Sequence, residues 1–151
     1  MDVQPNLPFS SEDYFRIIQS HPDLDWITWS KEQIEKRIQN SQVFTVRRLG
    51  QTVGFLLGIS DYVSNFIITL VAVHKDWERQ GIATELLQQV DRFIKENYNI
   101  KGLTISVHAE GEAKDLYRKA GFLETIKDWD ATLMHKYNSE TGFETDYRKV
   151  K

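Results

Sequence analysis

Val71-Ala72-Val73-His74-Lys75-Asp76-Trp77-Glu78-Arg79-Gln80-Gly81-Ile82-Ala83-Thr84 is the stretch across which the periodicity of the chain changes. Upstream of it, Phe66 to Val73 is apolar apart from Thr69 and reads as a strand covered on both faces, hence central to a sheet. Downstream, Ile82, Leu86, Leu87, Val90, Phe93 and Ile94 form one stripe, while Glu85, Gln88, Gln89, Arg92, Lys95 and Glu96 face out. That spacing predicts an amphipathic helix. A buried strand thus passes through a short polar loop into a helix, and at such a junction backbone N–H groups are left without helical partners.

Outward from this junction the other elements fall into place. Toward the N-terminus, Val43 to Arg47, the turn Leu49-Gly50-Gln51 and Thr52 to Ile59 read as a hairpin, and Asp61 to Asn65 is a polar break. Before the hairpin, Ser30 with Gln33 three residues on is a capping box opening a helix with Ile34 and Ile38 on one face. Ser11, followed by Glu12 and Asp13, starts an earlier short helix carrying Tyr14, Phe15, Ile17 and Ile18. Toward the C-terminus, Leu103 to Val107 is a strand, and Ala113, Leu116, Tyr117 and Ala120 repeat at helical spacing before Gly121. Phe122 to Ile126 and Ala131 to Tyr137 read as closing strands, and residues 138–151 as a polar tail. The order predicts an α/β fold with a mixed sheet. An initial strand before the first helix is barely visible, because Met1 to Pro8 carries two prolines.

Composition narrows the chemistry. At 151 residues the chain is sized for one domain, residues 1–151, and its 40% hydrophobic and 27% charged content is that of a globular protein. The absence of cysteine removes disulfides, thiolate nucleophiles and Cys-ligated metals, and no metal is expected. With 19 basic against 22 acidic residues, nothing marks a nucleic-acid backbone or an anionic membrane as partner. No apolar run spans a bilayer and the N-terminus lacks the basic region of a signal peptide, so a cytoplasmic protein is expected. The Arg79-Gln80-Gly81-Ile82-Ala83-Thr84 loop would let a pyrophosphate approach backbone amides at a helix N-terminus, although Gly81 alone is equally explained by a tight strand-to-helix turn.

Taken together, the strand, the QGIA loop, the long helix, the next strand and a helix reading LYRKAGF resemble the GNAT superfamily of acyl-CoA-dependent N-acetyltransferases over residues 43 to 137. The resemblance implies a mixed, mostly antiparallel sheet with a splayed central strand pair, flanked by about four helices. It implies acetyl-CoA as co-substrate, with the backbone of Val71, Ala72 and Val73 pairing the pantetheine arm. The amides of Arg79, Gln80, Gly81, Ile82, Ala83 and Thr84 would hold the pyrophosphate, and Tyr117 would act as general acid for the departing sulfur. A phenol can donate to a thiolate, and an amide, placed on Val73, can stabilise charge developing on the thioester oxygen. Two departures bear on affinity: Glu78 brings a negative charge to the loop, and Glu110 stands where the family often has an asparagine that contacts the cofactor. Lys114 and Arg118 either reach the adenosine-side phosphate or form an exposed helical face.

The general base is less legible, because the central strand offers no carboxylate. His108 is the first candidate and His74 the second, each also readable as an ordinary surface histidine. Trp26, Trp29 and Tyr62 form a candidate aromatic wall for the acceptor, with Asp23, Asp25 and Asp61 to attract an amine; the tryptophans could equally close the core beneath the connector. The function so implied is acetyl transfer to a primary amine by direct attack in a ternary complex, the acceptor being a small cationic or aromatic amine. A peptide or protein amine, or a non-catalytic acyl-CoA sensor, are the alternatives. An edge strand near the C-terminus could pair two chains as a homodimer, though nothing in the sequence demands it.

Overall fold

In the computed structural model, which describes residues 9–22, 29–98, 103–109 and 113–124, two short helices open with the same device. Helix α1, Ser11–Gln19, is capped by Ser10, whose hydroxyl accepts from the Asp13 amide while the Asp13 carboxylate accepts from the Ser10 amide. Ser11, where the sequence starts this helix, is its first residue and lies buried in the first turn. Helix α2, Lys31–Gln39, has the expected box between Ser30 and Gln33. Each box satisfies two N–H groups that the helix itself leaves orphaned.

Strands β1 (Gln42–Arg48), β2 (Gln51–Ser60) and β3 (Asn65–Val73) form an antiparallel meander, and β4 (Thr104–Val107) adds to β3 in parallel, giving the order β1-β2-β3-β4. The β1–β2 turn takes positive φ at Leu49 and Gly50, which matches the twist of a two-residue hairpin. A short 3₁₀ turn, Lys75–Trp77, follows β3 and leads to helix α3, Ile82–Asn97; helix α4, Ala113–Lys119, comes after β4.

The sheet separates two apolar clusters. On one face α1 and α2 bury Tyr14, Ile17 and Ile34 against Phe55, Leu57 and Ala72. On the other, the α3 stripe Ile82, Leu86, Leu87, Val90 and Ile94 packs with Val53, Leu56, Phe66, Ile68 and Tyr117. Every stripe residue read from the sequence is in or against that second cluster, Phe93 included. Helix α3 sits close to the sheet because residue 54 has no side chain: a Cβ at Gly54 would lie 2.7 Å from Ile82 Cγ2 and 3.4 Å from the Ala72 carbonyl oxygen. Since Ile82 is buried and its Cγ2 methyl is fixed on the β-branch with little freedom to move, Gly54→Ala is expected to cost about 1–3 kcal/mol by overpacking, measurable as a lowered midpoint in urea with unchanged slope.

The reading of β3 needs revision. It is not covered on both faces along its length: Asn65, Ile67 and Thr69 are exposed, Ile67 by 42%, while Phe66 and Ile68 are buried. Half of this strand alternates as an ordinary one-sided strand does. Its register against β2 also shifts: Leu57 faces Leu70 but Gly58 faces Ile68, so Thr69 is a bulged residue. Phe122, Leu123 and Glu124 are not a strand, while the rest of that candidate and Ala131 to Tyr137, the tail and Met1 to Pro8 lie outside the described residues.

Candidate active site

The bulge at Thr69 coincides with the place where β3 and β4 part. Their pairing runs from Asn65 opposite Thr104 to Ile68 opposite Val107 and no further, while β3 continues to Val73. Toward β2 the strand stays paired, with Val71 opposite Leu56, Ala72 opposite Phe55 and Val73 opposite Gly54. The His74 amide donates to the Val53 carbonyl at 2.8 Å. Because peptide groups alternate along a strand, the amides and carbonyls of Val71 and Val73 then turn away from β2, to the side from which β4 has diverged. The sheet is therefore mixed and mostly antiparallel, and β3 runs on past the end of β4, so its second half has no β4 partner.

Beyond β3 the chain reaches α3 through two left-handed residues, Arg79 (φ 60°) and Gly81 (φ 77°). Gly81 is the N-cap of α3, and unlike α1 and α2 this helix has no side-chain cap. Its first intrahelical bond runs from the Glu85 amide to the Gly81 carbonyl at 3.0 Å. The amides of Ile82, Ala83 and Thr84 precede that bond and carry the positive end of a sixteen-residue helix dipole. A left-handed residue followed by helical ones turns successive N–H groups into one concavity, which is a site for an anion. Nothing lies within 4 Å of where a Cβ on Gly81 would stand, so the approach is open. These observations fit a diphosphate held by the Gly81–Thr84 backbone.

The carboxylates nearest this helix start have basic partners. Glu85 is bound by Arg48 of β1 at 2.7 Å, and a Glu78 oxygen lies 3.5 Å from Nδ1 of His21, beyond the end of α1. Sequence reasoning passed over His21, since no local motif marks a histidine more than 50 positions before its partner. Arg79 is exposed.

Tyr117 is buried on α4, its ring edge-on to Phe122 at 5.5 Å, in the same cluster as Ile82, with Val71 and Val73 packed against that cluster. Burial raises its pKa above the ordinary 10.0, so the phenol keeps its proton at neutral pH. The fold thus brings Tyr117, the start of α3 and the far end of β3 to one side of the sheet. His108 continues the exposed positions Thr104 and Ser106, whereas Ile105 and Val107 pack on the Tyr117 side. His74 is engaged locally: its Nδ1 accepts from the Asp76 amide at 3.1 Å and caps the 3₁₀ turn.

The acceptor wall is only partly described. Trp29 is 43% exposed, with the guanidinium of Arg37 over its ring at 5.2 Å, so the chain's own cation already occupies one face. Tyr62 is exposed and stacks on Tyr98 at 6.2 Å. Asp61 is committed to its own loop: its carboxylate accepts from the Ser64 hydroxyl and from the amides of Val63, Ser64 and Asn65. Those bonds, the Ser64 hydroxyl first, hold its pKa far below the usual carboxylate range. A depressed pKa contributes stability that is complete above the unfolded value near 4 and is lost as pH falls through the folded one. Asp61→Asn is therefore expected to narrow the difference in thermal midpoint between pH 6 and pH 2.5. Trp26, Asp23, Asp25 and Glu110 lie outside the described residues. Among the described residues no three His, Cys, Asp or Glu side chains are placed to hold a metal, and no helix is long and apolar enough to cross a membrane.

A family model described as an acetyltransferase (GNAT) domain matches residues 25–130. Among solved structures, a probable acetyltransferase from meticillin-resistant Staphylococcus aureus superposes with TM-score 0.71 at 24% identity, over 85% of this chain and 94% of that one. A GNAT family acetyltransferase from Streptococcus pneumoniae gives TM-score 0.67 at 21% identity, over 88% and 94%. The ribosomal-protein-S18-alanine N-acetyltransferase of Escherichia coli gives 0.62 at 18% identity, over 88% and 81%. Comparison by sequence with curated proteins finds no significant match.

Proposed function

The chain belongs to the GNAT family of acetyltransferases, and on that footing we propose that it moves an acetyl group from acetyl-CoA to a primary amine by direct attack in a ternary complex. The observation that carries this reading is the uncapped, left-handed start of α3 beside the stretch of β3 that β4 has left. Acetyl-CoA supplies an activated acyl group as a thioester. The chain's own part is to bind, orient and move protons. Backbone amides of Gly81 to Thr84, with Arg79 and Gln80 in the turn before them, hold the diphosphate. The outward peptide groups of Val71, next to Ala72, pair with the amide-bearing arm, and the N–H of Val73, a residue whose carbonyl already accepts from His21, serves the thioester oxygen. Tyr117, kept protonated by burial, gives its proton to the departing sulfur. The base is His108, which lies on the exposed side of β4 away from Tyr117 and so takes the amine proton through intervening water rather than by direct contact. The acceptor is a small cationic or aromatic amine, a choice supported by the exposed rings of Trp29 and Tyr62.

Acetyl-CoA at ten times its dissociation constant is expected to stabilise the fold by about 1.4 kcal/mol. A melting transition that does not move under saturating acetyl-CoA would sink the reading. A thiol-release screen over polyamines, arylalkylamines, amino acids and peptides then names the acceptor. Release with peptides alone would replace the small amine by a protein terminus or side chain, and binding without release would leave a sensor.

A further inference from the structure

The start of α3 attracts anions of any origin, including those of its own chain. Carboxylates are stabilised at a helix N-terminus, and Glu78 stands only three residues before Gly81, the N-cap of α3. Glu85 is committed to Arg48. Glu78 is instead directed to His21, whose Nδ1 is 3.5 Å from its Oε1. The other ring nitrogen of His21 lies 2.6 Å from the Val73 carbonyl oxygen. A carbonyl only accepts, so Nε2 is the donor there, and Nδ1 attracts the Glu78 carboxylate when it too carries a proton, in the imidazolium form. Beside it, the Ser20 hydroxyl accepts from the Lys75 amide at 3.0 Å. The end of α1 therefore holds the loop at three points: the last residue of β3, the first residue of the 3₁₀ turn, and the acidic side chain before the left-handed turn. The imidazole is only about one-fifth exposed, against half for Glu78, so the histidine is the anchored member of the pair.

We propose that His21 is a positioning residue of the diphosphate site: it fixes the end of β3 through Val73 and holds the Glu78 carboxylate off the amides of α3. This rests on the acetyl-CoA reading above. The geometry explains how an acidic residue is tolerated inside an anion-binding turn. Without His21, Glu78 becomes an intramolecular competitor for the helix start.

The test is a cycle of CoA affinities by calorimetry on the full chain, with folding of each variant checked by thermal melting. His21→Ala is expected to bind CoA about tenfold more weakly than wild type, and Glu78→Gln within about twofold of it. The double variant should return to within about threefold of wild type, because removing the charge removes the competitor; a merely structural histidine would not be rescued in this way. If His21→Ala does not fold, His21→Gln keeps a donor for the Val73 carbonyl while withdrawing the imidazole from Glu78. It should then lose about threefold, fully reversed by Glu78→Gln. Unchanged affinity in the folded histidine variant, a double variant as weak as the single one, or tighter binding without His21 would each overturn the proposal. Failure of the wild type to bind CoA would instead overturn the cofactor reading.

Discussion

Tyr117→Phe is expected to lower kcat about a hundredfold, roughly 2.7 kcal/mol of barrier, while the dissociation constant of acetyl-CoA stays within about twofold of wild type. The two parts of the result come from different atoms. The ring is buried against Phe122 in the α3-side cluster, and phenylalanine reproduces that packing, so α4 and the cofactor-facing side of the sheet should keep their shape. Only the hydroxyl is lost, and with it the proton for the sulfur. Burial raises the pKa of this phenol above 10.0, so in the wild type the acid form persists across neutral pH and no alkaline fall in kcat from this group is expected below that value. The same shift sets a sign for stability. The unfolded chain ionises near 10 while the folded one resists, so stability is complete below that pH and declines as pH rises past it. Removing the hydroxyl should abolish this alkaline decline. Steady-state kinetics with the acceptor found in the thiol-release screen, paired with calorimetry of CoA, measures both parts. A variant with wild-type turnover would remove Tyr117 from the acid role, and one with lost CoA affinity would mean the ring contributes to binding instead.

Much of this was legible because it depends on local periodicity. The α3 stripe, the capping box at Ser30 and the hairpin around Gly50 are each encoded within a few residues, and each formed where the spacing placed it. The position of the glycine that starts α3 was legible for the same reason, since the helical period begins directly after it. What the sequence could not display were relations across the fold. The bulge at Thr69 is a register mismatch between β2 and β3, and a continuous apolar run conceals it. Exposure of Ile67 likewise depends on how far α1 and α2 reach over the sheet, which no window of sequence contains. His74 and Asp61 illustrate a further limit. Both are chemically able residues near the expected site, yet short-range bonds to Asp76 and to residues 63–65 had already engaged them. His21 is the converse, a side chain with no motif that the fold carries to Val73 and Glu78.

Gly81→Val is expected to weaken CoA binding by about a hundredfold and to cost about 1–2 kcal/mol of stability. Both effects have one origin. At φ 77° a β-branched residue is strained, whereas the space around the missing Cβ is open, so no clash with the protein adds to the penalty. The chain has two ways to respond. It can keep the left-handed turn and bear the strain, in which case the branched side chain stands in the open space through which the diphosphate would approach. Or it can relax residue 81 to negative φ, in which case the amides of Ile82, Ala83 and Thr84 no longer converge. Either response removes the anion site while leaving the α3 stripe packed, so the variant should fold and lose affinity. Gly81→Asn separates strain from bulk, because asparagine tolerates the left-handed region better than other residues with a Cβ. It should recover most of the stability, while its side chain, standing in the space left open at Gly81, still crowds the approach of the diphosphate. The expected pattern is therefore a valine variant weak in both respects and an asparagine variant stable but still deficient in CoA affinity, read by urea denaturation and calorimetry. Full CoA affinity in a folded Gly81→Val protein would place the diphosphate somewhere other than the start of α3.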